Sequence, residues 1–496
     1  MDITNGVSME LLRRLGIDEE LRQVGVAPRH SFDVIFAPGL DGPEIARWSL
    51  PSVDEQRAIL RGLTDGTRPG QAWQRGSQAL FEAMMMDRCK RDALIDVRQG
   101  WRLETCQQVD DAVHTKLVND HGETVHVRSD YLVGCDGASS RVRDQLGIAM
   151  DGLRDVVCFG LVHFRSTDLA NLRALGQFWH IYTPGGSILI AQDEIDTWTV
   201  HSGLGPAVDD PDPIGDPREF VARALGRPIA ISEVLASSAW WPNALLADRY
   251  GHDRILLAGD AVHTMPPTGG HGMNTGLGDA FNLGWKLAAT LHGWGGQNLL
   301  ASYESERRPV GERSRNAALE NMGVIMQYHG MVKQELVGQS TVEAAAHRTE
   351  VADFLTANDA ENLSLGIELD VRYDDSPVVC TPQTEAPPWN RRTFVPTVRA
   401  GHRAPNIVLP EDETLFDRFG PGFTLVDAIG GPSDAKRLLE EADLVGLPIH
   451  HLSLDNPQLR QIYRHQLVLV RPDLHIAWSG TAVSDPADII ARVRGA

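Results

Sequence analysis

The stretch GDAVHTMPPTGGHGMNTGLGDAFNLGWKLA, residues 259–288, sets prolines and glycines directly ahead of an amphipathic run. From Gly276 onward Leu277, Phe281, Leu283, Leu287 and Leu291 recur at helical intervals, which predicts a helix entered by a loop over residues 268–275. Small residues in such a loop leave amide N–H groups uncovered, and the first four N–H groups of a helix have no partner within it. A ligand with electron-rich oxygens or nitrogens can lie against that end. Just upstream, the apolar run RILLAG ends at Asp260, so a carboxylate stands at the carboxyl end of a strand, where open α/β sheets bind ligands.

A second motif repeats the logic. In YLVGCDGASSRVRDQLGI, residues 131–148, Asp136 and Gly137 follow an apolar strand, and Ser140, Val142 and Arg143 begin a helix. A carboxylate and a guanidinium straddling one strand-to-helix turn suit a pyrophosphate with its ribose. An Asp-Gly after a strand is by itself a turn. Two such turns in one chain, about 120 residues apart, point to a nucleotide cofactor.

Composition bounds the rest. At 496 residues, 42% hydrophobic and 23% charged, the chain is an ordinary globular sequence with room for two or three domains. Its net charge of −21 argues against nucleic acid or an anionic membrane surface as a partner. Cys89, Cys106, Cys135, Cys158 and Cys380 are scattered with no CxxC pair, so they read as buried hydrophobes of a reducing, cytoplasmic compartment. No run approaches a membrane span, and the start lacks a secretory signal pattern. No histidine pair has metal-ligand spacing, so no metal is expected, and no G-x-S-x-G elbow marks a serine hydrolase.

The pattern along the chain divides it. MDITNGVSMELLRRLGIDEELRQVG reads as a helix capped by Ser8, with Met9, Leu12, Leu15 and Leu21 on one side. Short alternating strands follow between residues 93 and 137, a meander inserted in the first part, residues 1–157. Residues 158–245 continue in strands, with Phe178, His180 and Tyr182 assigned to one face and Trp179 and Ile181 to the other by the two-residue period. With Trp240, Trp241 and Pro266, these aromatics outline a substrate cavity, although core packing explains any one of them as well. Met84, Met85 and Met86 read as core filler. Residues 246–380 return to an α/β pattern with long helices, 381–401 form a proline-rich linker, and 402–496 form a small α/β unit.

On these motifs the chain resembles the FAD-dependent, NAD(P)H-using aromatic hydroxylases of the para-hydroxybenzoate hydroxylase and phenol hydroxylase type. The resemblance extends over nearly the whole sequence. It implies an α/β fold: a Rossmann-like FAD/NAD(P)-binding domain, an inserted mixed β-sheet substrate domain and a C-terminal thioredoxin-like domain. Carried over by motif, Asp260 of Gly259-Asp260 meets the ribityl chain, and Pro266 and Pro267 lie near the flavin edge. The backbone of Gly270, Gly272, Met273 and Asn274 faces the pyrimidine end of the ring, where His271 could touch it. Asp136, Gly137, Ser140 and Arg143 match the motif implicated in flavin pyrophosphate and nicotinamide cofactor binding. In WQRGSQALFEAMM the flavin-contacting glutamine is Gln78, with Arg75 a weaker candidate.

The implied function is hydroxylation of a small aromatic, phenolic or polyketide-like substrate with NAD(P)H as transient co-substrate and dioxygen, through a flavin hydroperoxide. No obligatory protein nucleophile follows, and a homodimer is allowed. The Trp-x-Trp-x-Ile-Pro signature of flavin halogenases is missing. With no cysteine after Cys380, the C-terminal unit cannot exchange disulfides, and a polar linker makes it separable. The chain departs from the family in one respect: it carries no GxGxxG, and its first residues align just after the unit bearing that motif. The sequence therefore also admits an FAD-deficient, non-catalytic relative, and it predicts an exposed strand edge where that unit's first strand would pair.

Overall fold

Leu132–Gly134 and Ile255–Leu257, the strands that carry the two motifs, lie side by side in parallel, with Leu132 opposite Ile255 and Gly134 opposite Leu257. Parallel pairing puts both carboxyl ends, and hence Asp136 and Asp260, on one edge of the sheet. The computed structural model describes residues 3–62, 64–155, 157–205, 212–381, 384–409, 413–429 and 432–496. Gly251–His252 completes a three-stranded sheet in which Leu132–Gly134, among the described residues, is paired along one edge only. Trp101–Val109, Ala112–Asn119 and Thr124–Ser129 form the expected meander as a separate antiparallel sheet.

The helix after Asp260 runs over His271–Leu291, capped by Gly270 in the left-handed conformation at φ 64°. It therefore starts earlier than the apolar spacing indicates. Its first turn carries few core-facing apolar residues, so hydrophobic periodicity does not mark it, and Gly272, Met273 and Asn274 lie in the helix rather than in a loop. The predicted N-terminal helix is likewise two helices. Gly6–Arg14 is capped by Asn5, whose side chain accepts the N–H of Ser8, and not by Ser8 itself. It ends at Gly16, which takes φ 69°, and Asp18–Val24 follows; the break leaves Leu15 half exposed.

A seven-stranded sheet holds, in order, Glu233–Trp240, Cys158–Arg165, Thr197–Gly205, Ser187–Ala191, His180–Tyr182, Val34–Phe36 and Ala46–Trp48. Two of its strands come from residues 34–48, far upstream of the run in which the sequence places this sheet. One face, with Val162, Phe164, Ile181, Leu189, Trp198 and Val200, is buried beneath the helix Pro217–Leu225 through Phe220 and Val221. The opposite face carries Phe159, His163, His180, Tyr182, Ile188, Ile190 and His201 by the cross-strand register.

Phe178 does not share the face of His180 and Tyr182. It packs with Ile181 and Trp198 in the other core, while Trp179 clusters with Tyr182. The N–H groups of Trp179 and His180 both point at the Asp33 carbonyl, at 2.7 and 3.4 Å, and this local bulge shifts the alternation by one residue.

The C-terminal unit is a four-stranded sheet ordered Ile449–Ser453, Phe423–Asp427, Leu467–Val470, Ile476–Gly480, with only the first pair parallel. Ala435–Leu444 and Pro486–Val493 pack on it. It is bound to the rest through buried charge. The Arg471 guanidinium donates to both oxygens of Glu306 at 2.7 and 2.8 Å, and Asp473 accepts from Asn282 at 3.0 Å. Arg403 and Asn406 grip Glu10 of the first helix. Phe394, Val398 and Ala400 of the connecting segment are themselves buried. Among the described residues no helix is long and apolar enough to cross a membrane.

Candidate active site

Asp260 lies in the short 3-10 turn Gly259–Ala261 that ends its strand. It is exposed and, among the described residues, has neither a hydrogen-bond nor an ion-pair partner. The crevice around it desolvates the carboxyl and pushes it up from its ordinary range, with His263 opposing. The turn is shaped from behind by Asp279, a fully buried residue of the helix His271–Leu291. Its Oδ2 accepts the Gly259 N–H at 3.2 Å and lies 2.7 Å from His263 Nε2, while Oδ1 accepts from Arg307 Nε at 2.8 Å. Gly259 itself takes φ 62°, a conformation that favours glycine. Sequence reasoning missed Asp279 and Arg307. The available signal was an acidic residue on the core-facing stripe of an amphipathic helix.

The loop ahead of the helix is pinned as closely. Thr268 Oγ1 donates to the Ala318 carbonyl at 2.7 Å, and the Gly269 N–H donates to Glu361 Oε1 at 2.9 Å. Pro266 is buried and Pro267 exposed. Asn274 holds the chain rather than offering its side chain outward. Its Oδ1 accepts the Asn5 N–H at 3.0 Å, and its Nδ2 donates to the carbonyls of Ile3 and Gly270 at 3.1 and 2.7 Å. His271 is buried, and burial lowers it to about 4, so it stays a neutral imidazole.

The second motif is engaged with its own backbone. Asp136 Oδ2 caps the helix Arg141–Gln145 by accepting from the N–H groups of Arg141 and Val142 at 2.8 and 3.1 Å. Gly137 takes φ 78°, and Ser140 Oγ accepts the Arg143 N–H at 3.0 Å. The buried Arg143 guanidinium bridges the two motifs, donating to the carbonyls of Ala138 at 3.0 Å and Ala261 at 3.1 Å. Its partners among the described residues are thus main-chain carbonyls and Asp144, so in this arrangement it positions the loops. Gln78 opens the helix Gln78–Arg91, is exposed and donates to Glu82 at 2.6 Å. Arg75 is fully buried, pairs with Glu194 and sits over the Phe32 ring, joining the strand Gln74–Arg75 to the seven-stranded sheet.

On the open face of that sheet Trp240 stacks on Phe159 at 5.3 Å and donates through Nε1 to His201 Nδ1 at 3.2 Å. Burial lowers His180 to about 3 and His201 to about 4, so both are uncharged at neutral pH. Tyr182 stacks on Phe36, and burial, reinforced by Glu361, raises its phenol well above the ordinary range. The face therefore offers aromatic surface and neutral imidazoles. A cavity of about 70 Å³ lies against the first turns of the helix His271–Leu291, bounded by Ser8, His271, Asn274, Thr275, Arg307 and Tyr373. Among the described residues no group of three His, Cys, Asp or Glu side chains is placed to hold a metal.

Comparison with known proteins identifies the family. Residues 2–318 match the family model described as "FAD binding domain". The chain is 38% identical over 527 residues to "FAD-dependent monooxygenase apdD" of Emericella nidulans, covering 100% of this chain and 84% of that protein. It is 26% identical over 525 residues to "Phenol 2-monooxygenase" of a Pseudomonas species, covering 98% of this chain and 84% of that one. Among solved structures, the flavin-dependent monooxygenase PieE in complex with FAD and substrate superposes with a TM-score of 0.88 at 25% identity, covering 100% of this chain and 92% of that one.

Proposed function

The chain belongs to the FAD-binding-domain family of FAD-dependent monooxygenases, and from that premise we propose that it hydroxylates an aromatic substrate of phenolic or polyketide type with NAD(P)H and dioxygen. The observation that carries this reading is the unpartnered Asp260 carboxylate in a turn held rigid by Asp279, beside a helix N-terminus whose first turn is glycine-rich. In the reading, Asp260 holds the ribityl hydroxyls, and the backbone of Gly270, Gly272 and Met273 meets the pyrimidine end of the ring next to Pro266 and Pro267. Gln78 would contact the flavin, and the loop from Asp136 to Arg143 would border the phosphates.

FAD, when bound, supplies the electron transfer from NAD(P)H and the activation of dioxygen. The residues of the chain orient it, and the amides opening His271–Leu291 stabilise negative charge on its ring. The fit is to the ring and ribityl end of the cofactor. No described residue forms a glycine-rich turn beside the unpaired edge of Leu132–Gly134.

The neutral imidazoles of His180 and His201, with Tyr182 and Trp240, hold the substrate ring. They suit an uncharged oxygen substituent better than a carboxylate, which would call for a cation. The C-terminal unit, which we read as thioredoxin-like, acts as a structural buttress. The test is a titration of the purified chain with FAD followed at visible wavelengths, then NADH and NADPH oxidation with and without phenols. Saturable flavin binding with phenol-stimulated oxidation is expected. A chain that stays colourless in excess FAD and oxidises neither nucleotide refutes the reading and leaves a non-catalytic relative.

A further inference from the structure

Three arginines meet at a cavity that neither motif accounts for. It has a volume of about 270 Å³ and is lined by Arg13, Arg57 and Arg61, with Leu60, Ala72 and Val408 among the residues between them. The guanidinia come from two elements. Arg57 and Arg61 share a face of the helix Val53–Arg61 with Leu60, one turn apart, and Arg13 lies in the last turn of the helix Gly6–Arg14. The opposite end of that second helix is tied to the helix His271–Leu291, because Asn274 accepts the Asn5 N–H at 3.0 Å. From Asn5 to Arg13 the helical rise amounts to about 12 Å, so the cavity is separate from the crevice beside Asp260.

The carboxylates nearby leave these charges incompletely met. Asp417 accepts from Arg13 at 2.5 and 3.2 Å, but it also accepts the Thr414 N–H at 2.7 Å and the Thr414 hydroxyl at 3.1 Å. Asp18 lies 3.6 Å from Arg13. Arg57 has one ion-pair partner among the described residues, Glu19, at 3.8 Å, beyond hydrogen-bond reach, and that side chain is 64% exposed. The same Glu19 oxygen lies 3.9 Å from Nε of a fourth guanidinium, Arg22, whose side chain is only 7% exposed. Arg22 backs the cavity wall. It donates to Gln71 Oε1 at 3.2 Å and to the Ala72 carbonyl at 3.1 Å, both lining residues, while its Nε is buried without a hydrogen-bond partner. Burial and the neighbouring Arg57 lower Arg22 to about 10, with Arg13 adding to them and Glu19 and Asp18 opposing. A cation in the last turn of a helix complements the helix dipole, which accounts for Arg13, Arg22 and Arg61 singly. It does not account for Arg57, at the middle of its helix, or for the convergence of all four in a chain of net charge −21.

We propose that this cavity binds a small organic anion, a carboxylate or phosphate ester with an apolar body, at a site of its own. The forks of Arg13, Arg57 and Arg61 receive the oxyanion, since a planar guanidinium matches carboxylate and phosphate oxygens in pairs. Leu60, Ala72 and Val408 receive the apolar body. Gln71, whose Oε1 is taken by Arg22, keeps its amide N–H groups as further donors. An apolar cavity of about 150 Å³ holds a benzene ring, so about 270 Å³ has room for a ring and its charged head. The bound anion supplies the counter-charge that Arg57 lacks at hydrogen-bond distance.

Calorimetry with benzoate and with phenyl phosphate on the purified chain, in chloride-free buffer, tests the site. Saturable binding is expected, and the tighter of the two names the head group. Inorganic phosphate should bind more weakly than phenyl phosphate, because it leaves Leu60 and Val408 uncovered. Arg57→Gln should weaken both organic anions roughly tenfold, and Arg57→Lys, which keeps the charge and loses the fork, should fall between. Matching melting temperatures show that the variants are folded, and Arg61→Gln makes the same comparison where Arg57→Gln does not fold. No saturable binding to wild type up to about 10 mM, or equal affinities in wild type and variant, overturns the assignment and leaves the arginines as partners of the protein's own carboxylates.

Discussion

Replacing Asp279 by asparagine probes how the Asp260 turn is held. The substitution keeps the shape of the side chain and removes its charge from a site with no exposure to solvent. Burial alone would raise this carboxyl, but the charges of Arg307 and His263 outweigh it and hold the group below its ordinary range. In Asp279→Asn the Arg307 guanidinium remains buried, still bound to the Thr275 carbonyl at 3.0 Å and the Tyr373 hydroxyl at 3.1 Å, but without a counter-charge. Breaking one side of a buried pair costs about 3 to 5 kcal/mol, a large share of the roughly 5 to 15 kcal/mol that holds a domain. The amide can present only one acceptor oxygen, so it cannot serve Gly259, His263 and Arg307 together. Urea unfolding should show the loss, and FAD affinity should fall with it because the Gly259 turn that aims Asp260 is loosened. The double variant Asp279→Leu with Arg307→Met should recover much of the stability, since apolar pairs replace buried ion pairs at little cost, but should not recover FAD binding. A loss under about 1 kcal/mol in the single variant, or restored flavin affinity in the double one, would refute the argument.

Asp260→Ala should leave the melting temperature near wild type, because the carboxylate has no partner among the described residues, yet weaken FAD binding by about 1.5 to 3 kcal/mol for a lost charge-assisted bond; equal flavin retention after dialysis would count against it. Arg471→Met strips Glu306 of two hydrogen bonds at 2.7 and 2.8 Å and should cost about 3 kcal/mol. Deletion of residues 402–496 should give insoluble protein rather than a separable catalytic unit, and a monodisperse, flavin-binding truncation would contradict this. Stability should rise with pH between about pH 4 and pH 6.5: His180, His201, His271 and His402 are lowered to about 3, 4, 4 and 4 by burial, so over that window the unfolded chain binds protons that the folded one does not. Glu361 and Glu368 act in the opposite sense. Burial raises both to about 7, so their contribution is present below about pH 4.5 and is lost as pH rises to 7, and urea midpoints across pH for wild type and E368Q would expose it.

The two strand-end aspartates were legible because the physics that marks them is local. An apolar run, an acidic residue and glycines in sequence define a strand, its exit and an uncovered helix start without reference to the rest of the chain. What each carboxylate does there is a matter of tertiary contact. Asp136 and Asp260 look alike in sequence, but one caps a helix five residues on and the other has no partner among the described residues. Asn274 likewise stands where a ligand contact is expected, and its amide instead clasps the backbone of Ile3 and Asn5, some 270 residues away in sequence. The mixed sheet was legible only in part. Its strands from residues 158–240 alternate visibly, but Val34–Phe36 and Ala46–Trp48 are three-residue pieces too short to show a period, and a single bulge at Trp179 inverted the assignment of Phe178.

The helix His271–Leu291 shows why the buried polar residues are where they are. Asp279, Asn282 and Lys286 fall on one stripe at helical spacing, each with less than 1% exposure. Asp279 meets Arg307 and the Gly259 turn, Asn282 meets Glu306 and Asp473, and Lys286 meets Glu306 at 2.7 Å. An apolar stripe of the same width could slide by a turn against the helix Gln297–Met331 at modest cost, since Leu and Ala side chains accept many partners. A stripe of three polar groups cannot, because a shift would leave each of them, and Arg307, Glu306 and Arg471 opposite, buried without a partner. The stripe fixes the helix along its axis, and its N-terminal amides are the groups that must lie at a set distance from whatever occupies the crevice. Positioning at that end requires tolerances of a few tenths of an ångström. The C-terminal unit contributes Arg471 and Asp473 to the same lock, which gives a domain remote from the Asp260 turn a direct part in holding it.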